Sequence, residues 1–566
     1  MTVKSARSAV PFGAALALAV ACGGTTGPDG GGGTPSEACA AEPVTQLAVG
    51  EHVILDPAAT SGCLRLPKAG AAGAQYLVVL ASTNGTKSSS GTQGPYLLRS
   101  SHPVVAVTAP AAAPQPAAPS LASGSVAAQF DASLRRLERD LAADPRNRLL
   151  PLTAPRLVQA PPVGDVKSFK TCSNLACSAF TTVQATARFV GVHVAVYMDN
   201  DVPQSDPLTD ADLANLGNSF DNFHYPIDTT AFGRESDIDG NGVVIILATD
   251  AVNNLTPDCT NGRVIGYFFG GDLLSGPNSN RAEIFYTLVP APATAKCTSV
   301  SRNAALNNLK PTLIHEFQHM ISFNQHVLIR GGTSEEVWLN EAMSHFAEEL
   351  GGRLVPESEC TSAGFSSCRS LYTSGDILDS YDYLKNPGSQ YVVFPTSSSG
   401  TLEERGAVWL FLRWTLDHFS TDSILASATT RALDATSLTG VANLTAVTGG
   451  SFSDMIPRWL MASYLDDGPD LPFEPTGWLR FKSWGLRSIW TDPRNAQIFP
   501  GGFPLVPASL GSGSSIADTL RAGSGRHFLL VQPADGDAWD VQVLKNTAGA
   551  QLDAALQARF GIVRIH

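Results

Sequence analysis

The sequence has no excess of basic residues. Lys and Arg number 38 against 51 Asp and Glu, which gives a formal net charge of -13. Proteins that bind nucleic acid usually present a basic surface, so we expect no nucleic-acid partner. The acidic balance bears on solubility and indicates no particular substrate.

Long apolar runs are missing beyond the N-terminus. No segment after the first 22 residues reaches the roughly 18 apolar residues that span a bilayer. At the N-terminus, Lys4 and Arg7 precede a short apolar stretch, which is typical of an export signal over 1–22. Its end resembles a bacterial lipoprotein signal with Cys22 as the lipidated residue; the alternative is cleavage near Ala21 and release. We expect an exported protein whose only membrane contact is a lipid anchor at Cys22.

The cysteines include no CxxC pair, which disfavours a cysteine-ligated zinc site. Of nine cysteines, eight remain when Cys22 is set aside, and an even number in an exported chain predicts disulfides. Proximity along the chain predicts the pairs Cys39–Cys63, Cys172–Cys177, Cys259–Cys297 and Cys360–Cys368.

Changes in composition divide the 566 residues into several domains, because one hydrophobic core does not grow to this size. Short apolar runs with turn residues predict strands near both ends, and the middle mixes strand and helix patterns. We therefore expect a multidomain α+β protein whose core, a sheet with a helical C-terminal half, is flanked by small β domains. The expected divisions are a signal peptide (1–22), a flexible tether (23–36), an N-terminal β domain (37–108), a Pro/Ala linker (109–125), the central domain (126–470) and a C-terminal β domain (471–566).

Two segments of the central domain carry metal-binding side chains at informative spacing. His315 and His319 are four positions apart in His-Glu-Phe-Gln-His, so on a helix they lie on one face. Glu341 follows His319 by 22 residues, a distance suited to a second helix that returns past the first. Two imidazoles and one carboxylate make a three-ligand zinc site with a fourth position open to water. Glu316 is then placed to accept a proton from that water.

The histidines allow two other interpretations. The short HExxH pattern also occurs on ordinary helices, where the histidines would be partly exposed. A metzincin site requires Gly three positions and His six positions after His319, where this chain has Ser322 and Gln325, and His326 comes one residue late. On a continuous helix, His326 would lie about 10 Å along the axis from His319. It could not share the metal, so Glu341 is the better third ligand.

A second metal pattern lies upstream. In Asp-Ile-Asp-Gly-Asn-Gly, oxygen-bearing side chains at alternate positions match the first half of a calcium loop, with Asp237, Asp239 and Asn241 as ligands. The twelfth position is Ala248, where an EF-hand carries Glu, so a full EF-hand is rejected. The alternative to calcium is an Asp/Asn/Gly-rich turn that leads into a buried strand beginning at Val243.

The zinc segments resemble a known group of enzymes. His315-Glu-Phe-Gln-His319 followed by Asn340-Glu-Ala-Met-Ser344 is similar to the gluzincin pattern, which thermolysin-like enzymes share. With their flanking sequence, these runs resemble the hyicolysin-type zinc metallopeptidases over about residues 180–465. The resemblance implies a zincin-like core and an extracellular zinc-dependent endopeptidase that acts on proteins or peptides. It also implies that the glutamate between the two histidines is the catalytic base.

One position departs from the thermolysin pattern. That family has Asp directly after the Ser of the second motif, where it orients a zinc-bound His, and here the residue is His345. Glu348, one helical turn further on, would supply a carboxylate for this task; otherwise it lies on a solvated helix face. A cationic or phenolic group is also needed to stabilise the oxyanion. The downstream candidates are Tyr372, Tyr381, Tyr383, Tyr391 and His418.

Other functions are compatible with the same motif. The chain would be a surface-binding lipoprotein if the zinc were inert or structural and the flanking β domains held the partner. Against this, a structural zinc normally has four protein ligands, and the sequence offers no evident fourth. HExxH would also suit a zinc hydrolase that acts on a non-peptide bond. The sequence leaves open whether the first 125 or so residues are removed as a propeptide.

Overall fold

The computed structural model describes residues 35–101, 125–148, 159–511 and 513–566. The predicted signal peptide with Cys22, most of the tether and nearly all of the Pro/Ala linker lie outside the described residues. Among the helices in these ranges, none combines the length and hydropathy needed to cross a membrane.

The strands form three sheets within the described residues. In chain order they are β1 (His52–Leu55), β2 (Cys63–Leu66), β3 (Ala74–Ser82), β4 (Gln93–Ser101), β5 (Val166–Cys172), β6 (Phe180–Val190), β7 (Val194–Asp199), β8 (Val244–Ala248), β9 (Gly266–Phe268), β10 (Ile284–Thr287), β11 (Ala508–Ser509), β12 (Ser515–Arg521), β13 (Gly525–Gln532), β14 (Trp539–Leu544) and β15 (Ala558–Arg564).

Most of the helices lie between β10 and β11 along the chain. In chain order they are α1 (Pro35–Ala38), α2 (Val126–Ala143), α3 (Pro145–Arg148), α4 (Asp210–Ser219), α5 (Tyr225–Ala231), α6 (Asp250–Asn254), α7 (Arg302–Phe323), α8 (Val337–Leu354), α9 (Glu357–Thr361), α10 (Cys368–Tyr372), α11 (Ser374–Lys385), α12 (Leu402–Phe419), α13 (Ser427–Asp434), α14 (Gly440–Thr448), α15 (Phe452–Leu465) and α16 (Leu486–Thr491).

Strands from both ends of the chain combine in one β-sandwich. Its sheets have the orders β1-β15-β3-β13-β11 and β12-β4-β14-β2, and both contribute side chains to a shared core. The C-terminal strand β15 lies between β1 and β3. This differs from the two separate β domains expected over 37–108 and 471–566. The pairing partner of a strand cannot be predicted from the strand itself, because its sequence shows only the alternation of its own polar and apolar residues.

The segment over 471–507 was expected to begin a β domain, and it instead contains α16 with turns and short 3₁₀ helices. Trp484, Trp490 and Phe499 from this segment are buried in the same core as the long helices. The strands of the C-terminal region therefore begin only at Ala508. The apolar residues that precede them cover the helical half of the molecule.

β3 is buried on both faces, which explains its nearly continuous apolar sequence. Leu77 and Val79 face the helical core, whereas Tyr76 and Val78 face the interior of the sandwich. Helix α15 packs against β3, β13 and β15. The sandwich is thereby joined to the central domain through a continuous hydrophobic core.

The central sheet has the order β5-β6-β7-β8-β10-β9. β7, β8 and β10 run parallel, and β9 closes one edge antiparallel to β10. Helix α7 packs beside β9 and β10. The sheet and the helices of the C-terminal half thus enclose α7, as expected for a core made of a sheet and a helical half.

Helix α7 begins at Arg302, thirteen residues before His315. Ser301 caps it by accepting a hydrogen bond from the Ala304 amide, and the helix continues through Pro311. Proline removes one backbone donor and disfavours a helix interior. Tertiary packing overrides this local cost, because Leu309 and Leu313 on either side of it are fully buried.

The four predicted disulfides are all confirmed. Bonds join Cys39 to Cys63, Cys172 to Cys177, Cys259 to Cys297, and Cys360 to Cys368. Each closes a loop of modest length, between 5 and 38 residues in sequence separation. Proximity along the chain predicts disulfides well when, as here, each cysteine pairs with a cysteine nearby in sequence.

Candidate metal centre

Helices α7 and α8 bring the three predicted zinc ligands together. The Nε2 atoms of His315 and His319 are 3.2 Å apart. Glu341 places Oε2 3.6 Å from Nε2 of His315 and Oε1 3.5 Å from Nε2 of His319. Tetrahedral ligands at about 2.0–2.2 Å from one zinc ion lie about 3.3–3.6 Å from one another. The three side chains therefore have the spacing that a single zinc ion requires.

The chemistry of Glu341 also suits a metal. Its side chain is 1% exposed, and Oε1 has no hydrogen-bond partner among the described residues. A buried carboxylate oxygen without a partner is costly, and a bound cation would satisfy it. Burial raises the pKa of Glu341, but Arg405 and the two histidines outweigh burial and hold it well below its usual range. The group is thus kept ionised, as a metal ligand must be.

A hydrogen bond orients His315, the first predicted ligand. Nδ1 of His315 lies 2.8 Å from Oε1 of Glu348, whose side chain is 14% exposed. When Nδ1–H donates to this carboxylate, the lone pair of Nε2 is directed to the metal position. Of the two interpretations of Glu348, the structure supports the orienting carboxylate and not the solvated helix face.

Neutral groups orient His319, the second predicted ligand. Nδ1 of His319 lies 3.1 Å from Oγ of Ser344, and this hydroxyl donates to Oε1 of Gln318 at 2.5 Å. Burial lowers the pKa of His319 well below its usual value, which keeps the ring neutral. The pKa of His315 is raised to about 9, because hydrogen bonds to Glu341 and Glu348 outweigh the opposite effect of burial. Ser344 lies in the second zinc segment, but its contact with His319 was not predicted.

Glu316 lies beside the ligands on the same helix. Its Oε2 accepts a hydrogen bond from the backbone N–H of Phe268 in β9, at 2.8 Å. Burial raises the pKa of Glu316 above its usual range, against the opposing influence of His315 and Arg135. The carboxyl group is thus held by the edge strand of the sheet, with one oxygen engaged by the backbone.

Two residues of the site were not predicted from the sequence. Nη1 of Arg405, on α12, lies 2.9 Å from Oε2 of Glu341. Nη2 of the same guanidinium lies 2.9 Å from Oδ2 of Asp131, on α2. Neither residue belongs to a motif, and they are 274 positions apart, so no signal in a single sequence connects them.

A cavity of about 470 Å³ opens onto these side chains. The first turns of α2 form one wall, β9 lies along another, and the zinc ligands with Glu316 form the floor. Exposed Leu402 also lines it. A cleft of this size lies within the usual range of ligand-binding cavities.

Among the oxyanion candidates, only Tyr372 lines this cavity, and its hydroxyl is 2.7 Å from Nε2 of buried His224. The other four side chains lie away from the described lining of the cavity: Tyr381, Tyr383, Tyr391 and His418. His345 lines it as well, with Nδ1 2.8 Å from Oδ1 of Asp376. Burial lowers the pKa of His345, but Asp376 and Glu348 outweigh it and raise it well above the usual value. The two carboxylates therefore favour the protonated form of the His345 imidazole.

His326 lies apart from the metal centre, as the helix geometry predicted. It sits on a π-helical turn, Asn324–Ile329, that follows α7. Its Nε2 is 3.6 Å from Oδ1 of Asp434 and 3.8 Å from Oε2 of Glu335. All three side chains are completely buried. The ring belongs to a buried ion-pair cluster behind the zinc helix.

The upstream loop makes the hydrogen bonds of an Asx-rich turn. Oδ1 of Asp239 accepts from the Asn241 amide, and Oδ1 of Asn241 accepts from the Val243 amide. Carboxylate oxygens of Asp237, Asp239 and Glu283 come within 4.8 Å of one another, whereas Asn241 is not in that group. The turn is therefore present as the alternative interpretation described it. Calcium at Asp237, Asp239 and Asn241 stays a prediction.

Comparison with known proteins gives one informative similarity. The chain is 32% identical over 190 residues to the neutral metalloprotease ShpI of Staphylococcus hyicus. The match covers 33% of this chain and 40% of that protein, so the chain spans well under half of the relative it matches. No family model matches the sequence. An M1 zinc metallopeptidase from Deinococcus radiodurans superposes with a TM-score of 0.28 at 12% identity, over 55% of this chain and 54% of that one.

The hydrogen bond from His315 to Glu348 is testable by substitution. We expect Glu348→Gln to weaken zinc binding about 10- to 100-fold, because the ring loses the anionic acceptor that fixes its tautomer. Competition with a chromophoric chelator measures this affinity. Glu474→Gln, at a side chain that is 82% exposed, is the matched control and should bind zinc as the parent does. Unchanged affinity in Glu348→Gln would contradict the orienting role.

Proposed function

We propose that this protein is an exported zinc-dependent endopeptidase that hydrolyses protein or peptide substrates. The observation that carries the proposal is the convergence of His315, His319 and Glu341 beside Glu316 at the floor of an open cavity. Three protein ligands leave one coordination position for water and substrate, which is the arrangement of a catalytic zinc site. The similarity to a protein named a neutral metalloprotease supports the same class of reaction.

The residues of the chain divide the chemistry between them. Zinc held by the three ligands would polarise the scissile carbonyl and acidify a water molecule. Glu316, with Oε2 engaged by the Phe268 amide, would take up a proton at Oε1 and later pass it to the leaving amine. His345, whose protonated form Asp376 and Glu348 favour, would donate a hydrogen bond to the carbonyl oxygen as negative charge develops.

Export rests on the predicted signal and gains support from the covalent structure. Four disulfides join all eight cysteines of the described residues, and such bonds persist mainly outside the reducing cytosol. Attachment to the membrane would then depend on lipidation of Cys22, which labelling with a radioactive fatty acid tests directly.

Metal removal tests the proposed reaction. Purified protein should contain about one zinc per chain, and incubation with 1,10-phenanthroline should abolish casein hydrolysis through loss of the ligated ion. Added zinc should restore the activity. Mass spectrometry of a digested peptide library should reveal cleavage at internal bonds.

Two outcomes would contradict this function. Protein that binds zinc, loses thermal stability on chelation and hydrolyses no peptide would have a structural or inert metal, as in a surface-binding lipoprotein. Release of terminal residues only would replace the endopeptidase with an exopeptidase.

A further inference from the structure

We propose that Asp131, Arg135 and Arg405 are positioning residues, and that one ion-pair network built on α2 holds both the metal ligand Glu341 and the base Glu316. The inference rests on the zinc site of the proposed function. It extends the site to a helix that precedes the central sheet and carries none of the recognised motifs. The network can be followed in both directions from Asp131.

One oxygen of Asp131 leads to the metal ligand. Oδ2 of Asp131 lies 2.9 Å from Nη2 of Arg405, and Nη1 of that guanidinium lies 2.9 Å from Oε2 of Glu341. The planar guanidinium thus bridges two carboxylates with two different nitrogens. A guanidinium fixed at both ends restrains the orientation of each carboxylate, which a flexible ammonium does not.

The other oxygen of Asp131 leads to the base. Oδ1 of Asp131 lies 3.0 Å from Nε of Arg135, and Nη2 of Arg135 donates to the carbonyl oxygen of Phe268 at 2.8 Å. The backbone N–H of the same Phe268 donates to Oε2 of Glu316 at 2.8 Å. The peptide groups that fix Glu316 are therefore themselves fixed by α2.

A second carboxylate secures the far end of the network. Glu138, one turn along α2, places Oε2 2.8 Å from Nη1 of Arg135, and its Oε1 accepts from the Gly270 amide at 2.6 Å. Arg135 and Glu138 are 5% and 1% exposed. Ion pairs buried to this degree have little freedom to reorient, so they fix the position of β9 relative to α2.

The local sequence explains why α2 can do this. Ser125 caps the helix by accepting from the Ala128 amide, and Phe130 and Leu134 are buried against the sheet. Asp131 and Arg135 are four positions apart and therefore adjacent on the helix surface. The same helical face thus presents an acidic and a basic side chain to the metal centre.

Zinc affinity is the primary test, because it is measured without any assumption about catalysis. Asp131→Asn and Arg405→Lys each keep size or charge but break the bridge, and we expect the zinc dissociation constant to rise about 10-fold in each. In the double variant, the zinc dissociation constant should rise about as much as in one single variant. It should not rise by the product of the two single increases, since the two residues act as one unit. Asp140→Asn, an exposed carboxylate on the same helix, is the matched control and should bind zinc as the parent does.

The Glu316 branch is tested by kinetics. Arg135→Lys should lower kcat about 10-fold and leave both KM and zinc affinity unchanged, because only the support of Glu316 is lost. Should Asp131→Asn fail to fold, as judged by its far-UV spectrum and melting temperature, Asp131→Glu and Arg405→Lys carry the test.

The outcomes separate this inference from the proposed function. Parental zinc affinity in both Asp131→Asn and Arg405→Lys, or fully additive losses in the double variant, would overturn the network. Weakened zinc binding in a protein that hydrolyses no peptide would leave the network standing and remove the proposed function. Hydrolysis and zinc affinity at the parental level in every variant would overturn the network and leave the proposed function standing.

Discussion

Glu316→Gln is expected to lower kcat for casein or peptide hydrolysis about 10²- to 10⁴-fold, the usual contribution of a general base. The amide can still accept the hydrogen bond from Phe268 through its oxygen, so the fold and the side-chain position should be kept. The NH₂ group that replaces Oε1 cannot take up a proton. The loss should therefore fall on the chemical step and leave KM nearly unchanged.

The metal content separates this effect from damage to the site. Glu316 is not one of the three ligands, so the variant should still bind about one zinc per chain. Glu474→Gln provides the control for an equivalent change at an exposed position. Hydrolysis by Glu316→Gln at the rate of the parent would exclude Glu316 as the base, and loss of zinc would show that its main role is structural.

Deletion of residues 35–101 is expected to abolish soluble expression of the folded enzyme. In the first sheet, the deletion removes β3, which lies between β15 and β13, and in the second sheet it removes β4, which lies between β12 and β14. The remaining strands would expose unpaired edges and the apolar face of the sandwich, which favours aggregation. Leu77 and Val79 would also be lost from the core shared with α15.

This expectation bears on whether the N-terminal region is a removable propeptide. β3 pairs along its length with both β13 and β15. We expect this pairing to hold the N-terminal strands in place even when the chain is cut between β4 and α2. Cleavage at a protease site inserted after Ala112, between Ser101 and Ser125, should therefore leave the fragments associated, the melting temperature within a few degrees and the activity intact. Soluble, zinc-binding and active protein lacking 35–101 would show instead that the strands are dispensable.

The sequence by itself determined how the two candidate histidine ligands meet, because their spacing is a property of a single helix. His315 and His319 meet through the i, i+4 geometry of α7, and this holds wherever the helix packs. The same rule excluded His326, which lies in a separate buried cluster. The four disulfides were also predictable, since each joins cysteines that are near in sequence.

Local patterns failed where the start of an element or a side-chain role depended on surroundings. α7 runs through Pro311 because buried neighbours stabilise it, although proline disfavours a helix interior. Glu348 had two equivalent interpretations until its 2.8 Å contact with His315 was known. The sequence does not distinguish an exposed glutamate from a buried one here, since the position of a residue on its own helix does not reveal which side chains of the neighbouring helix contact it.

Only the tertiary structure decided which distant segments meet. The strands at the two ends of the chain share one sandwich, and the register of β15 between β1 and β3 has no counterpart in local alternation. Asp131 and Arg405 form an ion pair across 274 residues and place α2 at the metal centre. Such contacts arise from the packing of whole elements, whereas the spacing of the two histidines is set by the turn of one helix. The sequence therefore indicated the candidate zinc ligands but not the ion pairs beside them.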